Sequence, residues 1–89
     1  MYKRFYSLFS KDDLEKLEER ERRQTILKIR QLTFPFPDSL NIKKMSGKSD
    51  LYRMKTGKIR VLFYIDHELK RIIIRKIGFR KDVYRKLKN

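Results

Sequence analysis

Between residues 59 and 65 apolar and polar positions alternate. Ile59, Val61, Phe63 and Ile65 fall on one side of the chain, and Arg60, Leu62 and Tyr64 on the other. A period of two predicts a strand with one buried face. Two similar stretches flank it, giving three expected strands at about 50–55, 58–66 and 70–77, with Ile72 and Ile74 joining the buried face. Thr56-Gly57 is expected to make a tight hairpin turn, and "DHEL" turns the second hairpin, with His67 as a turn residue. Residues 2–9, "YKRFYSLF", are aromatic-rich and read as a first, edge strand.

Between these strands the period lengthens. Leu14 and Leu17 begin an apolar stripe that Ile26, Ile29 and Leu32 resume after the polar stretch "EERERRQ". The spacing is helical: either one long helix or two antiparallel helices meeting near residues 19–22. A pair buries more surface and is the preferred reading. Ser10 is the expected N-cap, with Asp13 completing a capping-box-like start, and Asp12, Asp13 and Glu15 suit the positive end of the helix dipole. This explains the acid cluster without a metal.

"FPFPD" ends the helical region, because proline disfavours the helical conformation of the residue before it. Phe34 and Phe36 are expected to cover one end of the core. "SLNIKKMSGKSD" reads as a loop with a short ordered piece and a turn at Gly47, and "RKDVYRKLK" as a last basic helix or turn. The predicted fold class is therefore α+β: a small antiparallel sheet, an N-terminal helical pair packed on one face and a short C-terminal helix, in a single domain over residues 1–89.

Such a sheet leaves its other face open. Tyr52 and Met54 should point toward the helices, so Arg53 and Lys55 point away, and Arg60 shares their side. The end of that groove is where "IGFRKDVY" brings Arg80 and Tyr84. Like charges on neighbouring strands repel unless an anion lies between them.

The overall charge strengthens that picture. The 89 residues carry a formal net charge of +14 with a mean hydropathy of −0.76. Residues 43–89 hold 16 Lys and Arg against four acids, and residues 1–42 hold 9 against 7. Charge concentrated in this way implies a polyanionic partner. Cysteine is absent, which removes disulfides, thiolate metal sites and cysteine nucleophiles, and fits a cytoplasmic location. The longest clear apolar run is Val61 to Ile65, and the start "MYKRFYSLFS" is too short and too charged for a signal peptide. No membrane association is expected.

The chemistry open to the groove is restricted. Magnesium-dependent nucleases need clustered carboxylates, and zinc needs His or Cys; one His and no Cys are present, so neither metal nor cofactor is expected. An enzyme here would work with Lys, Arg and Tyr. RNA supplies its own nucleophile, the 2′-hydroxyl. Cleavage then requires in-line positioning, a base, stabilisation of charge on phosphorus and a proton for the leaving 5′-oxygen. Clustered cations stabilise the phosphorane, and their repulsion favours the neutral form of a lysine among them. DNA lacks the nucleophile and would not be cut by this route.

"LYRMKTGKIRVLFYID", followed by "RIIIRKIGFR" and "DVY", resembles the RelE toxins of the RelE/ParE toxin–antitoxin superfamily, over roughly residues 2–87. The resemblance implies a ribosome-dependent messenger-RNA endonuclease cutting in the A site, and a RelB-like acidic antitoxin that wraps and silences it. It implies that Arg53 is the first basic residue of the site, Lys55 the base or phosphate contact, Arg60 the clamp on the scissile phosphate, Arg80 the leaving-group residue and Tyr84 the contact to substrate base or 2′-hydroxyl. Arg53 stands where the best-known members have lysine, and Phe79 where many have histidine. The other candidate RNA- and ribosome-binding residues are Lys43, Lys44, Lys48, Lys58, Arg75, Lys81 and Arg85. Two alternatives remain: a ParE-like gyrase-inhibiting toxin, and a non-catalytic RNA- or ribosome-binding module.

Overall fold

The alternating segment becomes the middle strand of a five-stranded sheet in a computed structural model that describes residues 1–45, 47 and 50–79. The elements in chain order are β1 (Lys3–Tyr6), α1 (Leu8–Lys16), α2 (Glu19–Arg30), β2 (Asn41–Lys44), β3 (Leu51–Thr56), β4 (Ile59–Asp66) and β5 (Arg71–Phe79). Strand order is β1-β5-β4-β3-β2. Ile59, Val61, Phe63 and Ile65 all enter one core with Met54, Ile72, Ile74 and Ile77, where Leu14, Leu17, Ile29 and Leu32 from the helical region meet them. The α+β class and the covered face agree with the pattern of the sequence. The expected C-terminal helix over 80–88, with Val83, Tyr84 and Leu87, lies outside the described residues.

The sheet is mixed rather than purely antiparallel. β2 to β5 form an antiparallel meander, while β1 adds to β5 in parallel, Lys3 opposite Arg71 and Tyr6 opposite Ile74. The direction has a physical consequence: on leaving β1 the chain runs on along the rest of β5's edge. Ser7 N–H donates to the Ile74 carbonyl (2.9 Å), Ser7 Oγ donates to the Arg75 carbonyl (3.0 Å), and Asp13 Oδ2 accepts from Ile77 N–H (2.9 Å). Lys76 Nζ lies 3.3 Å from the same carboxylate oxygen, both side chains being largely buried. Thus α1 satisfies backbone groups that an edge strand would leave open.

This arrangement corrects the expected helix start. Ser7 is the N-cap, its Oγ accepting from Ser10 N–H at 3.1 Å. Ser10 is buried inside α1, its Oγ donating to the Ser7 carbonyl, and Asp13 is spent on β5 instead of a capping box. Two helices form, and they part at Leu17 and Glu18, both extended, just before the expected 19–22. Arg22 Nη1 donates to the Leu17 carbonyl there, supplying a partner at a helix end that no Gly or Pro marks.

The ordered piece inside the expected loop is β2, whose Ile42 pairs with Met54. The β3–β4 turn is Gly57-Lys58, one residue later than expected, flanked by the pair Thr56 and Ile59. Gly57 has φ +60° and Lys58 an ordinary φ, the type II′ pattern that matches strand twist. Phe34 and Phe36 do close one end of the core, in edge contacts with each other and with His67, Tyr52 and Phe63 and a tilted contact between Phe34 and Tyr2. His67 stands in the β4–β5 turn and shares a 2.8 Å hydrogen bond with the Tyr2 hydroxyl.

Candidate active site

Strand register decides which charges meet. Met54 and Tyr52 pack toward the helices, so Arg53 and Lys55 project from the opposite face of β3. Lys55 lies opposite Arg60 on β4 and Asn41 on β2; Arg53 lies opposite Leu62 and Lys43. Asn41, Lys43, Arg53, Lys55 and Arg60 together line a pocket of about 250 Å³. Leu62, opposite Arg53, and Leu51 are both buried yet outside the helix-side core. Gly78 lies opposite Arg60 on β5, so no side chain crowds the arginine from that strand.

The pocket sets like charges side by side. Lys55 and Arg60 are direct cross-strand neighbours, as are Lys43 and Arg53, an arrangement that costs stability unless an anion occupies the space between. No carboxylate is among the described residues that line it. Arg60 Nη1 donates to the carbonyls of Gly57 and Ile59, both at 3.3 Å, which ties the guanidinium to the hairpin turn while its other N–H groups stay uncommitted by those bonds. A planar fork fixed in this way suits a phosphate.

The remaining sequence candidates divide. Lys58 is exposed on the hairpin turn beside the pocket. Lys44 pairs with Tyr52, which places it on the helix side of the sheet, away from Lys43. Arg75 is exposed and donates from Nη1 to the Tyr64 hydroxyl at 2.6 Å. Arg80, Tyr84, Lys48, Lys81 and Arg85 lie outside the described residues. Asn41 was missed, because the segment holding it reads as a loop; no sequence signal ties it to the basic cluster before β2 is paired with β3. Among the described residues no group of three or more His, Cys, Asp or Glu side chains is placed to hold a metal ion.

A larger hollow, about 840 Å³, runs beside β1 and is lined by Tyr2, Arg4, Tyr6, Arg22, Ile26 and Arg30 among others. Its cations stand among apolar side chains and the acid Glu15, whereas no acid is among the described residues that line the pocket on β2, β3 and β4.

Known proteins carry the same frame. The crystal structure of the RelB–RelE antitoxin–toxin complex from Methanococcus jannaschii superposes with a TM-score of 0.76 at 23% identity, covering 90% of this chain and 94% of that one. The archaeal RelE–RelB complex from Pyrococcus horikoshii gives 0.73 at 26% identity over 89% and 94%. A curated Methanocaldococcus jannaschii protein, provisionally named toxin RelE1, is 37% identical over 54 residues. The chain has the fold of the RelE toxins and resembles one of them in sequence. The matched stretch covers 60% of this chain and 60% of the curated relative. The isolated Escherichia coli RelE toxin also shares the RelE fold, with a TM-score of 0.74 at 20% identity over 98% of this chain and 95% of that one. No protein-family model matches the chain.

Proposed function

We propose that this chain is a RelE-family toxin of a toxin–antitoxin pair, a cytoplasmic endoribonuclease that cuts messenger RNA in the ribosomal A site without a metal ion. The observation that carries the reading is the convergence of Lys43, Arg53, Lys55 and Arg60 from three strands into one pocket. In this reading the scissile phosphate sits in that pocket. The RNA 2′-oxygen attacks phosphorus, the bond to the 5′-oxygen breaks, and a 2′,3′-cyclic phosphate and a 5′-hydroxyl remain. Lys55 takes the 2′-proton, Arg53 and Arg60 neutralise the extra charge on phosphorus, and Arg80 protonates or stabilises the leaving oxygen. Tyr84 holds the base or the 2′-hydroxyl. With only cations to do this work, in-line geometry must come from outside, which is the ribosome's part. A RelB-like acidic antitoxin as the silencing partner accords with the RelB–RelE complexes among the structural relatives.

The test is translated messenger incubated with ribosomes and the purified chain, with both ends of the products mapped. Cleavage that depends on ribosomes and leaves 5′-hydroxyl ends is expected. Products with 5′-phosphates, or intact messages alongside disturbed DNA supercoiling, would overturn the proposal.

A further inference from the structure

Beyond the cationic rows, the face away from the helix-side core changes character one step along the strands. Leu51, Tyr64, Ile73 and Phe5 lie directly opposite one another across β3, β4, β5 and β1, and none of the four belongs to the helix-side core. Leu51 is buried, Tyr64 and Ile73 are half-buried and Phe5 is exposed. At a rise of about 3.4 Å per residue this row runs about 7 Å from the Arg53–Leu62 row. The sheet therefore offers phosphate-binding charge and an aromatic surface at adjacent levels.

The sheet is irregular at this place. Register shifts between Leu62 and Phe63, so that Leu62 faces Lys76 while Phe63 faces Ile74, and Arg75 has no direct partner. Bulges re-aim side chains. Here Arg75 lands against Tyr64, its guanidinium carbon 5.0 Å from the ring centroid and its Nη1 2.6 Å from the hydroxyl. These two contacts fix the tilt of a half-buried ring on the side of the sheet away from the helix-side core. Arg75 gains nothing by burial there, being exposed, and it adds positive charge to a region already short of acids. An aromatic held by a cation beside a phosphate pocket is the composition that binds single-stranded nucleic acid, where bases stack on rings and the groove tracks the backbone.

We propose that Tyr64 and Arg75 form a nucleobase platform, on which a base of single-stranded RNA stacks while a neighbouring phosphate occupies the Lys43–Arg53–Lys55–Arg60 pocket. The platform rests on the ribonuclease reading above. Tyr64 supplies the stacking face. Arg75 sets the ring and keeps further N–H donors for the acceptor edge of the stacked base.

The experiment measures affinity at low salt for a short single-stranded RNA made uncleavable by a 2′-deoxy sugar at the scissile position, with one abasic residue walked along it. At one position the abasic change should weaken binding to the unaltered chain about ten-fold, the scale of one lost base–aromatic stack. Tyr64→Ala should bind the intact and abasic strands alike, and Tyr64→Phe, which keeps the ring, should recover much of the difference. Arg75→Gln should shrink it. If the unaltered chain binds RNA but is indifferent to abasic residues everywhere, the platform is wrong and the ribonuclease reading stands. If Tyr64→Ala remains as sensitive at the same position, the base stacks elsewhere and the platform is likewise wrong. If Tyr64→Ala instead loses only its affinity for an acidic protein partner, the pair belongs to a protein interface. Failure of the unaltered chain to bind any RNA, together with failure to cleave on the ribosome, removes the ribonuclease reading and the platform with it.

Discussion

Arg60 is the side chain on which the chemistry can be separated from the fold. It leaves β4 on the face opposite the core, and among the described residues its guanidinium makes two long hydrogen bonds, to carbonyls in its own hairpin. Arg60→Ala should fold normally and lose about 2–4 kcal/mol of transition-state stabilisation, as removal of one fixed charge contact to a reacting centre does. Single-turnover cleavage on saturating ribosomes measures it. Lys55→Ala should cost at least as much, because no other lysine lies in direct register with Arg60 on β3. A different residue adds a pH dependence to the fold at the alkaline end. Burial in the wall beside β1 raises the Tyr6 phenol above its ordinary value, against the opposing pull of Arg4 and Arg30. The folded state then holds that proton more tightly than the unfolded chain. Its contribution is complete below the unfolded value near 10 and fades as pH rises through the folded one. Tyr6→Phe should flatten the alkaline loss of stability, read by urea unfolding at a series of pH values.

At the scale of elements, α1 serves β5 as well as the core. The Asp13 carboxylate joins Ile77 N–H and Lys76 beyond the end of β1, where the sheet edge would otherwise be open. Asp13→Ala leaves a buried lysine and a buried N–H without their partner and should destabilise the chain by about 3 kcal/mol. Asp13→Asn, which can still accept the hydrogen bond, should cost less; urea midpoints compare the two. This is also where the sequence was least legible. β3, β4 and β5 announce themselves because their side chains alternate, and Arg53, Lys55 and Arg60 could be placed on one face from that alternation alone. Asp13 sits among five other acids, and nothing local shows that one of them turns inward to a strand 64 residues away. β2 is equally hidden, since "NIKK" has a single apolar residue and owes its strand conformation to pairing with β3. With β2 went Asn41 and the separation of Lys43 from Lys44.

For the molecule as a whole, the +14 charge makes attraction to RNA a long-range effect, while the fold decides which cations reach the phosphates. Lys43 and Lys44 test that division. They are adjacent in sequence, carry the same charge and are both exposed, yet Lys43 lines the pocket opposite Arg53 and Lys44 pairs with Tyr52 on the helix side. A diffuse field would weigh the two lysines alike. A localised site would not. Binding of short single-stranded RNA, followed against salt concentration, gives a slope set by the counterions released, about 0.7 per phosphate contact on a single strand. Lys43→Ala should flatten that slope by about one contact's worth and weaken binding at low salt. Lys44→Ala should produce the smaller change in both. Equal effects from the two substitutions would mean that RNA meets the charge of the molecule without entering the pocket, and the site would then have to be sought away from the β2–β3–β4 face.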